Sequence, residues 1–262
     1  MTLIEAGLLG FGAAAAYVTA VWLLSLAMRN ASIIDIFWGP GFLLLSGVYV
    51  LVSDDGYSGR QILVLALVAA WSLRLGGYIL SRNAGHGEDY RYQRMRENHG
   101  GAFWWRSLLT VFLLQGVLMW VISAPLLVAV HSDSPDNLVV TDFIGAGLWV
   151  VGFGFEGIGD WQLARFKGDP ANKGKVMDRG LWRYTRHPNY FGESVLWWGY
   201  FAIAAGTPWG MATVFSPVLM TFLLTRVSGA ALLEKTIKKR RPEYEDYERR
   251  TSGFIPLPPK RA

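Results

Sequence analysis

Cysteine is absent from the chain. Disulfides, thiol catalysis and cysteine-ligated metal or iron–sulfur sites are therefore excluded. Charge is scarce as well. Asp, Glu, Lys and Arg make up 17% of the residues, against about 25% in a typical soluble protein. The histidines His86, His99, His131 and His187 show no H-x-x-x-H or H-E-x-x-H spacing, so no metal site is expected. Gly152-Phe153-Gly154-Phe155-Glu156-Gly157 matches the dinucleotide fingerprint G-x-G-x-x-G. That fingerprint needs a strand before it and a helix starting at it. Here it lies inside a long apolar stretch, where small residues serve close helix packing.

Apolar sequence is abundant. Hydrophobic residues are 52% of the chain, and the mean hydropathy is +0.26. Seven stretches approach the ~20 residues that cross a bilayer. They run roughly Ala6–Met28, Ile33–Val52, Gln61–Ser81, Ser107–Val130, Phe143–Leu163, Tyr190–Ala205 and Pro208–Thr225. The first is too long for a signal-peptide core and is preceded by Glu5 with no Lys or Arg, so it is expected to be retained. Gly39-Pro40-Gly41 predicts a kink or a break in the second. The Gly206-Thr207 turn predicts an antiparallel hairpin of the last two. The expected fold class is all-α: one polytopic membrane domain over residues 1–262 with seven transmembrane helices.

Basic residues set the expected orientation. All of them except Arg60 and Arg74 fall in one alternate set of loops and in the C-terminal tail. The opposite loops hold Asp54, Asp55, Asp133, Asp136 and Asp142. By the positive-inside rule the N-terminus is outside and the C-terminus cytoplasmic. The net charge of +5 thus reflects topology, and no nucleic-acid partner is expected. Ala230 to Arg250 reads as a basic helix, either lying on the anionic leaflet or solvated. Gly253 to Pro259 reads as extended.

Charge at bilayer depth costs at least ~2.5–3.5 kcal/mol per residue and needs a reason. Asp35, Arg74, Glu156, Asp160 and Glu193 lie within the apolar stretches. Four acids cannot all pair with one base, so a polar hollow open to the cytoplasm is expected. Glu156 and Asp160 share a helix face. The segment Asp178-Arg179-Gly180-Leu181-Trp182-Arg183-Tyr184-Thr185-Arg186-His187-Pro188-Asn189-Tyr190-Phe191-Gly192-Glu193 follows Arg165, Lys167, Lys173 and Lys175. Cations in this number suit a phosphorylated ligand. Asn189 and Glu193, one helical turn apart, can face one ligand group. A second polar cluster runs from Tyr78 through Arg82, Asn83, Glu88, Asp89, Tyr90, Arg91 and Tyr92.

These residues resemble a known family. Gly180 to Glu193 is similar to the C-terminal motif of the steroid 5α-reductase superfamily. Trp71 to Leu75, with Arg82-Asn83 and Glu88 to Tyr92, resembles its bacterial branch, which places the chain in a bacterial inner membrane. The resemblance implies NADPH held from the cytoplasmic side, mainly by residues of about 155–256, and reduction of a carbon–carbon double bond conjugated to a ketone. It assigns Asn189 and Glu193 to the nicotinamide carboxamide and Asp160 to the adenosine side. Lys167 and Lys175 stand where the reductases have Arg at the phosphates. The wider implied cofactor set is Arg179, Tyr184, Arg186, His187, Arg82, Tyr90, Arg91 and Glu234. Tyr78 and Asp35 are the implied catalytic pair, with Asp35 protonated to donate to the ketone oxygen. Trp38 and Glu156 are implied to contact substrate, an apolar steroid or isoprenoid enone entering from membrane lipid. Two alternatives stand beside this. A methyltransferase similar to isoprenylcysteine carboxyl methyltransferase shares a related Arg-His-Pro-x-Tyr-x-Gly motif and uses S-adenosylmethionine. A non-catalytic lipid-binding protein explains the spans but not the acids. Nothing in the pattern sets an oligomeric state.

Overall fold

The computed structural model describes residues 1–227, Glu234 and residues 243–260. Its helices are α1 (Leu3–Met28), α2 (Ile33–Leu51), α3 (Ser58–Asn83), α4 (Tyr90–His99), α5 (Phe103–Ser107), α6 (Leu114–Ile122), α7 (Ala124–His131), α8 (Val140–Gly168), α9 (Pro188–Ala205), α10 (Phe215–Phe222) and α11 (Tyr244–Arg250). Among the described residues there is no strand; one isolated parallel bridge joins Thr185 and Ser252. The expected basic helix over Ala230–Arg250 lies mostly outside the described residues.

Among the described residues, five helical stretches are long and apolar enough to cross a membrane: Leu3–Met28, Ile33–Leu51, Ser58–Asn83, Tyr90–Ile122 and Gly210–Val227. The chain is thus a multi-pass helical protein of membrane composition. Helices α8 and α9 form where two further spans are expected. Asp142, Glu156 and Asp160 in α8, and Asn189 and Glu193 in α9, dilute their apolar character.

The chain divides into two compact units: Met1–Asp142 with Ala204–Thr213, and Phe143–Ile203 with Val214–Ala262. In the first, α1, α2, α3 and α6 pack around Tyr49, Phe42, Trp71 and Met119, all buried. Of the expected kink or break there is no break: α2 is one continuous helix through Pro40. Proline removes the bond that would reach Ile36 O. That carbonyl lies against Gly76, where a Cβ would sit 3.2 Å away. The flanking glycines serve contact: Gly39 lies against Ser72 of α3, and Gly41 against Met119 and Tyr17. The expected fourth stretch does break. Pro125 starts a new helix, α7, after Ser123, and residues Leu108–Leu113 are wound more loosely, as π-helix.

Arg60, expected as a loop charge, is buried with 0% of its side chain exposed, against 1% for Asp142. Its Nε donates to Asp142 Oδ1 at 3.0 Å and its Nη2 to Asp142 Oδ2 at 3.3 Å. Carbonyls of Pro135 and Asn137 take further guanidinium protons. Each of the three guanidinium nitrogens thus has an acceptor, as a buried guanidinium requires.

In the second unit α8 and α9 meet along glycines. Gly145, Gly152 and Gly159 recur every seven residues on α8. A Cβ at Gly145 would lie 2.5 Å from Gly199 O, one at Gly152 2.5 Å from Gly192 O, and one at Gly159 3.2 Å from the Pro188 ring. The descending partner numbers mean the helices run antiparallel. Gly152 of the fingerprint therefore does serve helix contact. The Ser194 and Thr221 hydroxyls, 2.7 Å apart, tie α9 to α10.

Candidate functional site

The glycine contact sets the site in the second unit. Because Gly192 leaves no side chain, its Cα sits against the backbone of Glu156, where a Cβ would be 2.5 Å from Glu156 N. Three acids are buried along this seam: Glu156 at 2% exposure, Asp160 at 4% and Glu193 at 9%. Asn189 Nδ2 donates to Asp160 Oδ1 at 3.1 Å, and Asn189 Oδ1 accepts from Tyr190 N at 3.0 Å. The resemblance assigns Asp160 and Asn189 to opposite ends of a dinucleotide, yet they touch. Among the described residues the second amide proton of Asn189 has no acceptor, which leaves it for a ligand.

The loop before α9 is anchored on α8. Gly180 has φ 59, which glycine adopts without strain, and a Cβ there would meet the Gln162 amide. Gln162 Oε1 accepts from Leu181 N at 3.0 Å, and Trp182 Nε1 donates to Gly159 O at 3.0 Å. Tyr247 OH donates to Trp182 O. Burial pushes the Tyr247 phenol well above its ordinary value.

Arg186 and His187 have protein partners. Arg186 Nε donates to Glu234 Oε1 at 2.8 Å, and His187 Nε2 lies 2.9 Å from the same oxygen. Arg186 Nη1 also donates to the carbonyls of Glu248 and Thr251, and its backbone N–H to Ser252 O. Thr185 donates to Phe254 O, and Leu257 N–H to Tyr184 O. The segment after α11 is thus strapped along Tyr184 to Arg186. Burial by itself raises the Glu234 carboxyl, but the bonds from His187 and Arg186 outweigh it and lower it to about 2. Arg186, His187 and Glu234, implied as cofactor residues, form this internal clamp.

Beside it lies a cleft of about 350 Å³ lined by Lys175, Arg179, Arg250, Asp178, Asp246 and Tyr247, among others. Arg250 is bonded to Asp246 at 2.9 Å and lies 3.7 Å from Asp178. Among the described residues Arg179 has no ion pair. Lys175 and Arg179 therefore share one cleft, whereas Lys167 and Tyr184 are exposed outside it.

In the first unit Asp35, in the first turn of α2, accepts from Arg91 Nη2 at 2.6 Å and from Tyr92 OH at 2.7 Å. Asp89 caps α4, accepting from Arg91 N at 2.9 Å and Arg91 Nε at 3.0 Å. Burial opposes ionisation of Asp89, but Arg91 prevails and holds it below the ordinary carboxylate value. Glu88 accepts from Ala31 N at 2.6 Å and takes Arg96 with both oxygens. With both oxygens accepting, Asp35 is not the donor expected beside Tyr78. Tyr78 is half-buried, with the Arg82 guanidinium 5.9 Å from its ring. Trp38 stands edge-on to Phe42 at 5.3 Å, and Tyr90 is exposed.

Sequence reasoning gave no site role to Gln162, Trp182, Tyr247 or Arg250. The spacing Gly145-Gly152-Gly159 was the available signal for the α8–α9 register.

A family model matches residues 21–251. The chain belongs to the DUF1295 family. That family is described as protein of unknown function, and the match takes in both residue clusters. An uncharacterized protein of Schizosaccharomyces pombe is 24% identical over 269 residues, covering 90% of this chain and 75% of the yeast protein. No solved structure matches. For a DUF1295 chain, function must therefore be argued from the residues themselves.

Proposed function

We propose that this DUF1295 protein is a seven-span reductase of a bacterial inner membrane, related to the steroid 5α-reductase superfamily, that uses NADPH to reduce the double bond of an apolar enone. In this reading α8 and α9 are the two further spans, the N-terminus is outside and the C-terminus cytoplasmic. The observation that carries it is the Asn189 side chain, held by buried Asp160 and one turn from buried Glu193, at the membrane end of a basic loop.

The donor set fits a nicotinamide. The free amide proton of Asn189 can donate to a carboxamide oxygen, and Glu193 can accept from the carboxamide N–H. Asp160 acts through Asn189, so its role is to orient that amide rather than to hold the adenosine side. Lys175 and Arg179 can neutralise phosphates in their cleft. NADPH, when bound, supplies a hydride to the enone β-carbon. The charge that develops on the ketone oxygen requires a hydrogen-bond donor. Tyr78 is the residue the resemblance assigns to it, and water protonates the α-carbon. Asp35 drops out of the donor pair in this reading and braces Arg91 and Tyr92.

The test uses purified protein in detergent with NADPH, NADH or S-adenosylmethionine, read as thermal shift and as NADPH consumed with a 3-keto-4-ene steroid. The reductase reading expects a shift with NADPH and steroid-dependent consumption. A shift with S-adenosylmethionine alone would favour the methyltransferase alternative, and no shift at all the lipid-binding one.

A further inference from the structure

Far in sequence from the proposed nicotinamide residues, the first unit holds a cleft of about 620 Å³, within the ~300–1,000 Å³ of small-molecule pockets. It lies where the end of α1 meets α4 and α5, and Leu26, Phe103 and Trp104 give it an apolar lining. Arg29 and Arg96 add positive charge.

The polar groups of this cleft are unequally committed. Ser25 Oγ donates to Trp22 O at 2.7 Å, and Ser107 Oγ to Trp104 O at 3.0 Å, so both hydroxyls serve their own helices. Arg96 is paired with both oxygens of Glu88 and lies 4.5 Å above the Phe103 ring. Arg29 is exposed at the α1 C-cap with φ 50, and among the described residues it has no ion pair. The Trp104 indole N–H likewise has no partner among the described residues, and Trp104 is 56% exposed. A cation and an indole donor thus share an apolar cleft at the end of a membrane-length helix. Leu23, Leu24 and Met28, on the last turns of that helix, are exposed.

We propose that this cleft binds the phosphate of an anionic membrane lipid. Arg29 supplies the charge and the Trp104 indole N–H a second donor. The lipid chain lies on the apolar residues of the α1 end. Indole rings belong at this membrane level, with the ring in hydrocarbon and the N–H toward headgroups. The anionic cytoplasmic leaflet supplies such lipids on the side where Arg29 is expected. A free phosphate would gain the same two contacts but leave the apolar lining bare.

The experiment is native mass spectrometry of the delipidated full chain. The probes are phosphatidylglycerol, phosphatidylcholine with the same acyl chains, and glycerol phosphate. Wild type should prefer phosphatidylglycerol over phosphatidylcholine by about tenfold, the scale of one charge-assisted contact, and show no saturable glycerol phosphate binding. Arg29→Asn removes the charge while keeping a residue suited to the left-handed cap, and should abolish the preference. Trp104→Phe should reduce it while keeping the ring. Arg94→Gln, which removes an exposed cation outside the cleft, should leave it intact. Equal binding of the two lipids to wild type would overturn the proposal. So would a preference that survives Arg29→Asn, an equal loss in Arg94→Gln, or saturable glycerol phosphate binding of equal strength.

Discussion

Asn189 donates its side-chain amide to Asp160 at 3.1 Å, from the first turn of α9 to the buried face of α8. Orientation of that amide depends on Asp160, so Asp160→Ala is expected to raise KM for NADPH about tenfold, the scale of one oriented polar contact, with a smaller fall in kcat. Asp160→Asn keeps an acceptor oxygen and should recover most of the loss. Steady-state kinetics of both variants separate this positioning role from a structural one, which would lower active protein without moving KM.

Close approach of α8 and α9 depends on Gly192. A methyl group there would collide with backbone atoms of Glu156 and Gly152, which cannot swing aside. Gly192→Ala should destabilise the protein by about 1–3 kcal/mol, the usual cost of overpacking. Gly147 on α8 has open space around it, so Gly147→Ala should be nearly neutral. Thermal unfolding in detergent compares the two.

The Arg186–Glu234 clamp predicts acid sensitivity. Glu234 is lowered from 4.5 to about 2 in the folded protein. A lowered carboxyl stabilises the fold above its unfolded value and loses that contribution as pH falls through the folded one. The contribution is therefore present above about pH 4.5 and disappears between there and about pH 2. Glu234→Gln should lose stability at neutral pH and show a flatter dependence over that window, measured by unfolding at a series of pH values.

Arg60 and Asp142 form a buried pair whose members each need the other. Arg60→Met leaves the Asp142 carboxylate buried without its cation and should cost about 3–5 kcal/mol. Replacing both with apolar residues should recover part of that loss. Unfolding midpoints of the single and double variants form the cycle that measures the coupling.

Much of the fold was legible, because long apolar runs have few alternatives to helices in a membrane. The acids in the apolar stretches and the Asn189–Glu193 spacing marked the α8–α9 seam. Three features were less legible. Pro40 was read as a kink or a break, and α2 stays continuous where α3 packs on it at Gly76, which accommodates the freed carbonyl. Arg60 was counted as a loop charge, since nothing local shows that Asp142, distant in sequence, will bury with it. Arg186, His187 and Glu234 were read through the resemblance as ligand groups. Their mutual contact depends on where the C-terminal segment folds back, which a motif does not encode.

The most direct measurement is the NADPH dissociation constant, by quenching of tryptophan fluorescence, of wild type beside Asn189→Ala and Glu193→Gln in folded, detergent-purified form. The account predicts saturable binding to wild type and a loss of at least about tenfold in each variant, one oriented polar contact apiece. Equal NADPH affinity in all three proteins would contradict it.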